Sequence, residues 1–299
     1  MTIDLTETTT STIIDALRQA RLRLGGVASG MVLTLVIMTD EGEQYDAVRA
    51  ASAASRQHPC RILVVIIRRP TERSRLDAEI RVGETSPGET VLLRMYGPLG
   101  QHADSVVAPL LLLDTPVVTW WPGTPPGVPS EVPMGALAQR RITDAAAAEV
   151  PLDCLATLAD GYQPGDTDLS WTRATPWRSL LAATMDQPSG AVTGGMVSAE
   201  AGNPTAGLIA AWLSHAYGLP FATESSAGPG ITGVSFDTTD GEIAISRPDG
   251  RVAQLRRPGQ PERRVALHRR DTTELLEEEL RKLDPDVIYA EALAQLRRG

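Results

Sequence analysis

The chain has 299 residues, 42% of them hydrophobic, and a formal net charge of −9 from 28 Lys+Arg against 37 Asp+Glu. Residues 1–150 carry 14 basic and 17 acidic side chains and the rest 14 and 20, so neither half reads as a nucleic-acid surface. No apolar run approaches the roughly 20 residues that cross a bilayer, Met1–Ser11 lacks a leader pattern, and two cysteines are too few for a disulfide scaffold. The expectation is a cytoplasmic protein without nucleic-acid or membrane partners. Lys282 is the only lysine, which leaves Schiff-base or phosphate-loop lysine chemistry a single candidate, in a charged helix near the end.

In chain order, helical spacing of Ile13, Leu17, Ala20 and Leu24 predicts a first helix over Ser11–Leu24, closed by Gly25-Gly26. Val32–Met38 and Arg61–Arg68 read as buried strands flanking an Ala-rich helix over Gln44–Ser55, the pattern of a parallel β-α-β unit. Ala78–Val82 and Thr90–Tyr96, around Ser86-Pro87-Gly88, predict an antiparallel hairpin. His102–Leu113 reads as a helix kinked at Pro109, Pro116–Trp121 as a strand, and Pro122–Pro133 as a loop. Ala136–Asp160 is expected to complete a first domain, with a strand or helix around Leu152–Ala159. Gly161–Asp168 reads as a linker or crossing loop.

Trp177–Met185 reads as a helix and Ala191–Ser198 as a strand. Asn203-Pro204 opens a helix to Tyr217. Ile231–Phe236, Glu242–Arg247, Arg251–Arg256 and Arg263–Arg269 alternate and are separated by Asp-Gly or Pro-Gly turns, which predicts an antiparallel meander. Two helices close the chain, one from Asp271 with Glu274 at capping-box spacing, one from Asp284-Pro285. The fold class expected is therefore α/β plus α+β. A mixed-sheet α/β domain spans 1–165. An α+β domain spans 166–299, with a four-strand meander and two terminal helices.

The search for catalytic patterns is nearly empty. His58, His102, His215 and His268 have no zinc-site spacing, Cys60 and Cys154 are far apart in sequence, and no nucleophile elbow occurs. The glycines near Gly25 precede a strand, whereas a dinucleotide loop follows one. No catalytic residue, metal or cofactor is expected. Gly194–Asn203, with arginines nearby, is the one stretch suited to a phosphate at a helix start, set against a plain turn and cap.

Tryptophan stands out. Trp120 and Trp121 lie in Thr119-Trp-Trp-Pro-Gly123, and Trp171 and Trp177 in Asp168–Arg178. Adjacent strand residues point to opposite faces, so one of Trp120 and Trp121 meets the core and the other a second layer, a partner or solvent. Trp171, Arg173, Trp177 and Arg178, then Trp120 and Trp121, are the candidate partner-binding residues, because Trp and Arg favour interface hot spots. Core tryptophans beneath a domain seam are the competing reading.

At these segments the sequence resembles the glucose-6-phosphate dehydrogenase assembly protein (OpcA) family. The similarity lies in Val32–Ile37, Ser55-Arg-Gln-His-Pro-Cys-Arg61, Thr119-Trp-Trp-Pro-Gly123, Arg140-Arg-Ile-Thr-Asp144 and Asp168–Arg178. The resemblance implies a non-catalytic partner of glucose-6-phosphate dehydrogenase that promotes its assembly or activates it, feeding the oxidative pentose phosphate pathway and NADPH supply. It transfers no catalytic residue. Redox control through cysteines, linked to some members, is not carried over to Cys60 and Cys154. A sugar-phosphate- or nucleotide-binding regulatory module and a purely structural scaffold remain the alternatives.

Overall fold

The computed structural model describes residues 1–23, 30–68, 72–83, 88–186 and 190–298. The expected Gly25-Gly26 helix end, Leu24, and Ser86-Pro87 of the hairpin turn lie outside them. The chain begins with β1 (Thr2–Leu5), α1 (Thr10–Arg23), β2 (Leu33–Thr39), α2 (Gln44–Ala54) and β3 (Cys60–Ile67). Then come β4 (Arg75–Val82), β5 (Glu89–Tyr96), α3 (Ala103–Val107), β6 (Val117–Trp120), α4 (Pro133–Ala136) and β7 (Arg140–Thr143). It continues through α5 (Pro151–Asp160), β8 (Asp166–Asp168), α6 (Leu169–Met185), β9 (Val192–Ala199), α7 (Pro204–Tyr217) and β10 (Phe221–Ser225). The meander β11 (Ile231–Thr238), β12 (Gly241–Ser246), β13 (Val252–Arg256) and β14 (Arg263–Ala266) precedes α8 (Thr272–Arg281) and α9 (Val287–Leu296).

The protein is α/β and α+β, with two sheets. The first has strand order β1-β4-β5-β3-β2-β6-β7-β8. β5, β3, β2, β6 and β7 run parallel, and β4 and β1 add antiparallel at one edge. Along β2 and β3 almost every residue is buried, because α1 and α3 contribute to one apolar layer and α2 packs on these strands from its alanine face. The second sheet has order β10-β9-β11-β12-β13-β14, parallel only between β9 and β10. In its Pro248-Asp249-Gly250 turn, Gly250 has φ +71° and the Asp249 carboxylate accepts from the Arg251 and Val252 N–H groups.

Two compact units result, and neither is a single stretch of chain. Unit one is Met1–Asp144, Gly165–Thr167 and Thr272–Pro285; unit two is Ala145–Pro164, Asp168–Asp271 and Asp286–Gly299. By contact, α5 groups with α9 in unit two and α8 with α2 in unit one, so the units differ from a division by sequence at 165. The arginines of Arg140–Asp144 explain the interleaving. Arg140 is buried and donates to Glu279 of α8 and to the Asp284 carbonyl, and Arg141 pairs with Asp166 of β8.

Other departures have local causes. β1 hides in a Thr-rich start, yet its four residues pair with β4. The helix expected over His102–Leu113 shrinks to α3, since Ala108–Leu110 forms a 3-10 turn around Pro109. The linker at Gly161–Asp168 contains β8, and β10 has a polar, mostly exposed pattern that carries no strand signal. The last helix is capped two residues later than expected: Asp286 Oδ1 accepts from Ile288 N at 3.0 Å and Tyr289 N at 3.1 Å.

Candidate functional site

α6 organises the second unit. Asp168 opens it, one carboxylate oxygen accepting from Ser170 N and the other from Ala145 N, each at 2.8 Å. Pro176 lies inside the helix and has no N–H, so the carbonyl four residues earlier, on Thr172, loses its helical donor. The Arg270 guanidinium donates to that carbonyl. Near the other end of α6, Arg257 donates to the carbonyl of Thr184. Two arginines beyond the meander strands thus satisfy helix groups that the backbone leaves open.

The tryptophans of this segment are interior. Trp171 and Trp177 are each 2% exposed. Trp171 Nε1 donates to Asp286 Oδ2 at 2.8 Å, and its ring lies 5.6 Å from that of Tyr289. Arg178 covers the Trp171 ring at 3.8 Å, and Arg247 lies 5.0 Å from the Trp177 ring. The two aromatics therefore form the floor of a cationic layer. In unit one Trp120 and Trp121 are 1% and 7% exposed, so both faces of that strand end are covered. The indoles are thus core residues, as the competing reading has it, and half-buried Arg173 and Arg178 are the accessible members of the six-residue set.

Beside Trp177 is a cavity of about 70 Å³. Its walls come from α6 (Arg173, Pro176), the start of α7 (Asn203, Thr205), the start of β11 with Gly230, Arg247 after β12, and His268, Arg269 and Arg270 after β14. Arg247 is buried and donates to the carbonyls of Leu267 at 3.1 Å and Ile231 at 2.9 Å. Burial, and then the neighbouring Arg269 charge, push its guanidinium down to about 10, so it stays charged at neutral pH. Asn203 caps α7, accepting from Ala206 N at 3.2 Å. The sequence reading named Asn203 and Arg173 but missed Arg247, His268, Arg269 and Arg270. Their only signal was a run of basic residues that reads equally well as solvated strand ends.

The first unit offers a second place to look. In doubly wound sheets the ligand crevice lies at the carboxyl ends of strands whose connections turn to opposite sides. Here β2 has β3 on one side and β6 on the other. The loop after β2 carries Asp40, Glu41 and Glu43. Asp40 Oδ1 accepts from Gly42 N and Glu43 N, and Glu41 pairs with Arg68. Glu43 fills the space beside Gly123, where a Cβ would meet its Oε2 at 2.2 Å. Burial and Asp40 raise the Glu43 carboxyl above its usual range. Carboxylates thus stand where a dinucleotide site presents backbone N–H groups to a pyrophosphate. Among the described residues no group of three or more His, Cys, Asp or Glu is placed to hold a metal ion. Cys60 is buried, its thiol pushed up to about 12 by burial, and Cys154 is half-buried in the other unit; neither is in a disulfide.

Residues 51–160 match the family described as the glucose-6-phosphate dehydrogenase subunit N-terminal domain. Residues 164–293 match the corresponding C-terminal domain. A search of the curated proteins gave no match. Among solved structures, KijD10, a 3-ketoreductase from Actinomadura kijaniata in complex with NADP and TDP-benzene, is 12% identical. The match covers 88% of this chain and 94% of that one, with a TM-score of 0.49. A point mutant of the same enzyme is 11% identical over 89% and 94%, with a TM-score of 0.48. No helix among the described residues is long and apolar enough to cross a membrane. With both domain families matched in order along most of its length, the chain belongs to the glucose-6-phosphate dehydrogenase assembly protein (OpcA) family.

Proposed function

We propose that the protein binds glucose-6-phosphate dehydrogenase in the cytoplasm and shifts it toward an active oligomer or conformation, without itself catalysing a reaction. The observation that carries this is the pair of family domains spanning both halves of the chain. Higher output of the enzyme raises flux into the oxidative pentose phosphate pathway and NADPH supply. An activator achieves this only by binding the active state more tightly than the inactive one. A tenfold shift in population needs a differential of about 1.4 kcal/mol, a modest demand for an interface.

For the contact surface we place Arg173 and Arg178 foremost, with Trp171 and Trp177 fixing their positions from beneath. Trp120 and Trp121 play the same supporting part in the first unit. The test titrates the protein into purified glucose-6-phosphate dehydrogenase while rate and particle mass are followed together. The expected result is a saturable rise in rate with a change in mass. A dehydrogenase unchanged in rate, substrate affinity and size sinks the proposal. A purely structural scaffold gives a change in mass with constant turnover per assembled site.

A further inference from the structure

We propose that the cavity beside Trp177 receives the phosphoryl group of a small phosphorylated metabolite. Three separate features converge on it. The first is charge. Arg173, Arg247, Arg269 and Arg270 line the cavity with His268, and among the described residues no carboxylate does. Guanidinium forks match the oxygens of a phosphate better than any other side chain.

The second is shape. Gly230, at φ +64°, marks the point where two of these groups meet. A Cβ there would lie 3.7 Å from Arg269 Nε and 3.9 Å from Arg247 Nη2. The Arg269 charge opposes that of Arg247, and an anion seated between them would offset this cost. Arg247 is 4% exposed, is fixed by two carbonyls, and keeps a buried Nε without a hydrogen-bond partner. The volume of about 70 Å³ suits one tetrahedral group, with the remainder of the ligand outside.

The third is the start of α7, a helix of 14 residues whose first turn contributes Asn203 and Thr205 to the wall. Its positive end adds to the same field. A phosphate seated here would touch segments that follow β12 and β14 as well as α6, so its binding would tighten one wall of the arginine layer proposed to meet the dehydrogenase. The site stands without that role, because every group that lines it belongs to unit two.

The experiment uses the full-length protein without any dehydrogenase. Its unfolding midpoint and calorimetric binding are measured with inorganic phosphate, a hexose monophosphate, the unphosphorylated hexose, and chloride at matched ionic strength. The expected result is saturable binding of the phosphate-bearing probes and none of the hexose or chloride. A response to inorganic phosphate alone also supports the site and identifies the free ion as its ligand. Arg269→Gln, at an exposed position that leaves the core intact, is expected to weaken this binding at least tenfold. Arg264→Gln, on the exposed face of β14, is expected to leave it unchanged. Circular dichroism confirms that both variants are folded. Absence of saturable binding, or binding indifferent to Arg269→Gln, overturns the proposal. So does a protein that ignores every phosphate probe yet loses the dehydrogenase on Arg269→Gln, since the pocket then serves an acidic partner segment.

Discussion

Arg140 and Glu279 give the most direct test of how the first unit is held together. Their side chains are only 5% and 6% exposed, they meet at 2.5 Å, and they join β7 to a helix far away in sequence. Removing one partner of a buried pair strands the other, at a cost of about 3–5 kcal/mol. Glu279→Ala should fall in that range. Arg140→Ala should cost more, because the Asp284 carbonyl loses a donor at 2.9 Å, a charged hydrogen bond of about 1.5–3 kcal/mol. In a unit of this size each kcal/mol moves the melting midpoint by roughly 2–4 °C, so Glu279→Ala should lower it by roughly 6–20 °C. Replacing both residues by Met or Leu of similar volume should recover much of the loss, since no charge is then left buried. Scanning calorimetry measures the midpoints, and hydrogen exchange at α8 reports whether that helix has detached. Single variants that cost under about 1 kcal/mol, or a double variant equal to the sum of the singles, would refute the reasoning.

Four other outcomes follow from the site. Trp171→Phe keeps an aromatic six-membered ring but loses the rest of the indole and its Nε1 bond to the Asp286 carboxylate, and should cost about 2–4 kcal/mol in denaturant unfolding; Asp286→Ala, which removes that bond and also uncaps α9, should destabilise the protein as well. Arg270→Ala should destabilise the protein, and adding Pro176→Ala, which restores a backbone N–H four residues after Thr172, should recover part of the loss; unfolding midpoints of the single and double variants test this, and no recovery refutes it. In native protein at pH 8 a thiol reagent should label Cys154 readily and Cys60 only on unfolding. Because folding raises the Cys60 pKa, its contribution is intact below the unfolded value near 9 and declines as pH climbs toward about 12, and Cys60→Ala should flatten that alkaline loss.

Much of the architecture was legible because periodicity carries it. The alternating runs after Ile231 form the meander in order, and the helical spacing of Ile13, Leu17 and Ala20 marks the buried stripe of α1. β1 and β10 were not legible, since β1 is only four residues in a Thr-rich start and β10 is largely polar, and each lies at an open sheet edge. The division into units was hidden for a different reason. It depends on buried Arg140 choosing partners more than a hundred residues away, and sequence spacing says nothing about such pairings. The site divides in the same way. Composition singled out Trp171 and Trp177, yet their burial was a tertiary outcome. The cationic cavity assembles from five segments, each of which looks ordinary alone.

The interleaved chain also sets a timetable for synthesis. Arg140 leaves the ribosome long before Glu279 exists, and α2, made earlier, waits longer still for the helix that covers it. At about 5–20 residues per second the interval is on the order of ten seconds. During it the first unit is a nascent sheet with an unpaired buried arginine and an uncovered apolar flank, while the second is still being made. The first part of the protein to be translated is therefore among the last to mature, and a stalled or truncated chain would present that flank to chaperones and proteases.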